Sequence, residues 1–134
     1  MAGATFTMKK TIIVDTDVLI DFLRGEKKAV AFFKSASASI SFSTITVAEI
    51  YSGIKGQKEE REIERLFSLF PQLPVSAEIA RLAGKLVQHY RPSHGIEIPD
   101  AIIAATCTVS DANLSTLNVK HYPMFTGLKP AYVK

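Results

Sequence analysis

Apolar positions along the chain switch repeatedly between two periods. Thr11-Ile12-Ile13-Val14 is a β-branched run with apolar residues at every central position, the pattern of a strand covered on both faces. From Asp17 to Arg24 the spacing becomes helical and stops at Gly25, and a second helix runs through Ala29, Val30, Phe32 and Phe33. Ser39 to Ser43 sets Ile40 and Phe42 against serines, which predicts the next strand. A helix follows from about Thr46 to Lys55 and ends at Gly56. Another, Lys58 to Phe70, carries Ile63, Leu66, Phe67 and Phe70 on one face before Pro71 closes it. Leu73-Pro74-Val75 reads as a brief edge strand. Ser76 caps a helix whose Ile79, Leu82, Ala83, Leu86, Val87 and Tyr90 form one stripe, with Pro92 to Gly95 as a loop after it. Pro99 starts a helix that is apolar nearly all round to Ser110, which places it in the middle of the fold. Asn113 to Thr116 and Lys129 to Val133 predict the last two strands.

Strands alternating with helices require crossover connections, so the class is α/β, with a mainly parallel sheet and helices on both faces. In such folds ligands bind at the carboxyl ends of the strands, near the point where strand order reverses. The length of 134 residues suits one domain, residues 11–134, with residues 1–10 as a loose leader or expression-derived segment. The 47% hydrophobic fraction lets such a domain fold without disulfides. A single cysteine, Cys107, in an apolar run, excludes a disulfide framework or a cysteine zinc site within the chain. No stretch approaches the roughly 20 apolar residues of a membrane span, and no signal-peptide core is present, so a cytoplasmic protein with no membrane association is expected. The net charge of +3 mildly favours a polyanionic partner. It does so more than its size suggests, because Glu59, Glu60, Glu62 and Glu64 share one helix and leave the remaining surface more basic.

Three acids fall on the rim where such a fold binds ligands. Asp15 follows the first strand directly and also fits a helix N-cap. Glu49 lies three residues after Thr46, which fits a capping box as well as a place in the first turn of a helix on the same rim. Asp100 follows Pro99 at the start of the apolar helix, where the helix dipole favours a negative charge but where an unpaired buried carboxylate would be costly. Three carboxylates on one rim repel one another, and a magnesium ion, which takes hard oxygen ligands and keeps several waters, supplies the compensation. Such an ion activates water for attack on a phosphodiester. Asp17 is near enough to reach the site through water, Asp21 reads as a surface residue, and Asp111 as a turn residue.

Four stretches then acquire a joint meaning: Val14 to Asp21, Ser43 to Ile50, Pro99 to Thr106, and Leu114 to Tyr122. In order and spacing they resemble PIN-domain ribonucleases, particularly toxins of the VapC type, over essentially the whole chain after residue 10. The resemblance implies a three-layer α/β/α domain, often a homodimer, that cuts RNA with one or two Mg2+ or Mn2+ ions and is covered by a small antitoxin protein. Carried over by position, Asp15 and Asp100 correspond to the principal metal ligands and Glu49 to the acid that orients metal-bound water. Asn118 stands where many relatives have a fourth acid, which leaves a second metal open, and Thr116 corresponds to a hydroxyl residue of the rim. Arg24, Lys55 and Lys120 read as solvated charges or RNA-phosphate contacts, and His121 as a packing or capping histidine.

Two other functions compete. The run Thr11-Ile12-Ile13-Val14 followed by Asp15-Thr16-Asp17-Val18 also resembles the nucleophile motif of haloacid-dehalogenase-type phosphatases, with Asp15 attacking phosphorus and Asp17 as acid and base. That reading leaves Glu49 and Asp100 without a task. A non-catalytic RNA- or protein-binding module is the other; Asn118 permits it, but a surface that binds RNA gains nothing from three carboxylates without a metal.

Overall fold

Period-two packing of the first strand sets the layers. β1 (Ile12–Val14) turns Ile13 toward one apolar cluster and Val14 toward another, and both side chains are fully buried. The computed structural model describes residues 10–134; of the leader, only Lys10 is included, and its ammonium lies 3.4 Å from Asp111. Helices α1 (Thr16–Leu23) and α2 (Lys27–Ala36) lead to β2 (Ile40–Ser43), and α3 (Thr44–Ser52) and α4 (Gln57–Ser68) lead to β3 (Gln72–Leu73). Helices α5 (Ala77–His94) and α6 (Ile98–Ser110) then return the chain to β4 (Asn113–Ser115).

The strands lie in the order β3-β2-β1-β4, and every neighbouring pair is parallel. On one face Val14, Ile40 and Phe42 meet Val18, Leu19, Phe33, Ile50, Ile63 and Phe67 of α1 to α4. Phe42 is the hub, with ring centroids 5.5 Å from both Phe67 and Phe70 and 6.4 Å from Phe33. On the other face Ile13 packs on Ile103, Ala104 and Cys107 of α6, and α5 packs outside α6. The result is a three-layer α/β/α domain with the apolar α6 inside, as its all-round apolar sequence predicts. Each fully buried Ile, Leu or Phe contributes roughly 1.5–3 kcal/mol, so these two clusters dominate the stability. Burial pushes the Cys107 thiol up to about 12, which leaves it a core hydrophobe. No helix of the described residues is long and apolar enough to cross a membrane.

Four local expectations change. Helix α3 starts at Thr44, not Thr46, because Ser43 is the cap, its hydroxyl accepting the Ile45 N–H at 3.1 Å. Helix α5 continues through Pro92 to His94. The proline costs only one backbone bond in the exposed last turn, and Gly95, at φ +62°, ends the helix where a left-handed residue is needed. The edge strand is only Gln72–Leu73 and stops before Pro74. Lys129 to Val133 forms no strand: Pro130 has no N–H to give a ladder, and a single bond, Ala131 N–H to Thr116 C=O at 2.8 Å, ties the segment to the end of β4.

Candidate functional site

Strand order reverses at β1, whose neighbours are β2 on one side and β4, reached only after β3, on the other. The crevice at the carboxyl ends of β1 and β4 is therefore where a parallel sheet of this kind binds ligands. Asp15 directly follows β1 and Thr116 directly follows β4, and the Thr116 hydroxyl donates to Asp15 Oδ2 at 2.8 Å.

Asp15 is 5% exposed and held by three donors. Its Oδ1 accepts the Thr16 N–H at 2.8 Å, so it does cap α1. Its Oδ2 accepts both the Thr116 hydroxyl and the Tyr122 phenol, each at 2.8 Å. A carboxylate offers about four lone-pair sites, so one remains, on Oδ1. None of the three donors carries a charge.

The other acids crowd around it. Asp17, in the first turn of α1, accepts the Leu117 N–H on Oδ2 at 3.1 Å, with the Thr116 hydroxyl at 3.4 Å, while its buried Oδ1 has no partner among the described residues. Burial and the Asp15 charge push its carboxyl up to about 6. Asp100, in the first turn of α6, is half-buried. Its Oδ2 lies 2.9 Å from His121 Nδ1, and its Oδ1 is 3.5 Å from the Tyr122 hydroxyl. Burial, then the Asp15 charge, raise its pKa, against the lowering effect of His121. Glu49 reaches the group through α1: its Oε1 accepts the Thr16 hydroxyl at 2.7 Å, and Thr16 Oγ1 is also 3.0 Å from the buried Thr46 Oγ1.

The capping box expected at Thr46-Val47-Ala48-Glu49 does not form. With Ser43 as the cap, Glu49 falls in the second turn of α3, exposed and free to face the rim. Asn118 is exposed, its backbone N–H donating to Thr116 Oγ1 at 3.0 Å and its amide 3.2 Å from His121 Nδ1. All five residues singled out in the sequence thus lie around one crevice: Asp15, Asp100 and Asn118 are joined through Thr116, His121 and Tyr122, and Glu49 through Thr16. Arg24, Lys55 and Lys120 are exposed.

Sequence reasoning missed or misplaced three residues. Asp21 is buried, not on the surface, and its carboxylate accepts the Tyr132 hydroxyl at 2.8 Å and pairs with Lys134 Nζ at 2.9 Å. His121 is the partner of Asp100 rather than a packing residue. Tyr122, 1% exposed, carries the hydroxyl between Asp15 and Asp100; burial and the charges of these two acids raise its pKa far above the usual value, so it stays a donor. A buried tyrosine must find a partner, but nothing in the sequence says which.

Among the described residues no three His, Cys, Asp or Glu side chains converge as a ready-made metal cage. What the crevice offers is the remaining lone pair of Asp15, the weakly engaged Asp100 Oδ1 and the orphaned Asp17 Oδ1, all hard oxygens. This donor set suits a cation such as Mg2+ that keeps most of its water and takes few protein ligands, and it does not suit zinc.

Comparison with known proteins agrees with this geometry. The chain is 43% identical over 124 residues to Ribonuclease VapC10 of Mycobacterium tuberculosis, covering 90% of this chain and 92% of the relative. It is 38% identical to Ribonuclease VapC19 of the same organism, covering 90% and 98%. A solved toxin–antitoxin complex from Klebsiella pneumoniae contains a chain that superposes with a TM-score of 0.74 at 28% identity, covering 91% of this chain and 98% of that one. The model of the PIN domain matches residues 12–122, nearly the whole span from β1 to the end of the crevice, and the chain belongs to the PIN-domain family.

Proposed function

We propose that this chain is a Mg2+-dependent endoribonuclease, with Mn2+ as a substitute ion, and the toxin of a toxin–antitoxin pair. The observation that carries the reading is the gathering of Asp15, Asp17 and Asp100 at the end of β1, with only neutral donors on Asp15. The ribonuclease names of the relatives and the toxin–antitoxin title of the Klebsiella complex support it. Asp15 and Asp100 would hold the ion, Asp15 through its one remaining lone pair, with Asp17 beneath. When bound, Mg2+ supplies a polarised water and a counter-charge for a phosphodiester oxygen. Glu49, fixed by Thr16, orients water at the outer rim. Thr116 locks Asp15, and Asn118 puts a neutral amide where another carboxylate would repel the RNA phosphate.

An antitoxin has a place to dock beside this rim. Ile20, Leu23, Ile50 and Ile63 line a groove between α1, α3 and α4, edged by Glu49, Glu59 and Glu62 together with the cation of Arg24, a net acidic rim that suits an apolar segment carrying a basic side chain. A phosphatase using Asp15 as nucleophile is favoured by no observation, since it leaves Glu49 and Asp100 idle. Incubating the purified chain with structured RNA should give cleavage with Mg2+ and none with chelator. Metal-independent retention of RNA without cleavage would instead support a binding module.

A further inference from the structure

The chain carries a tyrosine hydroxyl at the centre of its acidic crevice, and neither the fold nor the chemistry above requires one there. Phe125 stacks on the Tyr122 ring, with centroids 6.4 Å apart, and the ring sits in the cluster of Ile13, Ile103, Ala104 and Cys107. A phenylalanine would fill that space equally well. The hydroxyl adds one thing: a bond of 2.8 Å to Asp15 Oδ2 and a 3.5 Å approach to Asp100 Oδ1. Because Tyr122 is 1% exposed, the hydroxyl meets both carboxylates from the protein side. It takes the second lone pair of Asp15 Oδ2 and leaves one on Oδ1, beside the Thr16 N–H, unused.

We infer that Tyr122 is a positioning residue for the divalent cation, its hydroxyl fixing Asp15 from below so that the remaining Oδ1 lone pair faces the crevice. The inference rests on the metal-dependent reading of the site. Without the phenol, Asp15 keeps the Thr16 N–H and the Thr116 hydroxyl, so its carboxylate stays in place but is less firmly oriented. Thr116 then also stands alone on Oδ2, with Asp17 Oδ2 only 3.4 Å away as a competing acceptor. Groups that orient a metal ligand through hydrogen bonds typically change metal affinity or activity by about 10- to 100-fold when removed. Since two of the three donors persist, a loss near the lower end follows.

The test is a titration with Mn2+ alone, without RNA, reading free Mn2+ by electron paramagnetic resonance in wild type, Asp15→Asn and Tyr122→Phe. Wild type should bind the ion, Asp15→Asn should not, and Tyr122→Phe should bind about tenfold more weakly while its melting temperature in chelator stays near that of wild type. Equal or tighter binding in Tyr122→Phe would overturn the positioning role and leave the metal site intact. No binding in wild type would sink the metal reading itself, a different result. If Tyr122→Phe does not fold, wild type labelled with 13C at the tyrosine ζ carbon decides the matter. Among its four tyrosines, the Tyr122 resonance, identified by elimination through Tyr51→Phe, Tyr90→Phe and Tyr132→Phe, should move on adding Mg2+. An unmoved Tyr122 resonance at saturating Mg2+ would refute the inference.

Discussion

Asp15 and Asp21 stand at the two ends of α1, both buried, at 5% and 7% exposed, and the chain treats their charges in opposite ways. At Asp21 burial pushes the carboxyl up, but hydrogen bonds from Lys134 and Tyr132 and the Lys134 charge outweigh it, leaving its pKa below the usual range. Among the described residues Asp15 receives three bonds from neutral donors and no cation, and its acidic neighbours Asp17 and Asp100 are both shifted upward. A carboxylate matched by the chain's own lysine is finished as a structural element. One that is oriented by neutral groups and surrounded by other acids is arranged for a charge from outside.

Substituting each aspartate should separate these roles. Asp15→Asn keeps the shape and most hydrogen bonds but removes the charge. Losing several kcal/mol of metal-derived stabilisation should lower RNA cleavage by about a thousandfold, with Asp100→Asn close behind. Persisting cleavage in both variants would erase the contrast. Asp21→Asn should leave cleavage within a few-fold of wild type and cost about 2 kcal/mol of stability, a modest value because Lys134 is half exposed and Tyr132 keeps a partner. Urea unfolding measures it.

The smallest effect is on pH. In the folded chain Asp17 takes up its proton at about 6, above its unfolded value near 3.8. The stability it confers when protonated is fully present below the unfolded value and is lost as pH rises through about 6. Asp21, shifted the other way, contributes above the ordinary carboxylate value, and that contribution is lost as pH falls through its lower folded value. In chelator the melting temperature should therefore rise by a few degrees, equivalent to about 1 kcal/mol, between pH 7 and 5 and fall again in stronger acid. Asp17→Asn should flatten the upper limb only.

The layers and the position of the crevice were legible because they depend on periodicity and strand ends, which are local properties. Ile13 and Val14 announce a doubly covered strand, and the residues behind Asp100 announce a buried helix. The acids of the rim were legible as positions. Their side-chain partners were not, because these lie tens of residues away along the chain. Asp21 looks like a surface residue until Tyr132 and Lys134 fold across α1, and Tyr122 looks like packing until its hydroxyl is seen beside Asp15. Thr46 and Glu49 matched a capping pattern, but Ser43, at the end of β2, captured the helix start one turn earlier. Lys129 to Val133 had strand-like composition, and Pro130 with the pull of Asp21 sent it elsewhere.

The two hydroxyls that hold Asp15 come from residues 101 and 107 positions later in the chain. Translation proceeds from the N-terminus, so the aspartate leaves the ribosome well before these two donors. Contacts of such long sequence separation form late in folding. Until Thr116 and Tyr122 have emerged from the ribosome, itself largely RNA, the crevice is incomplete.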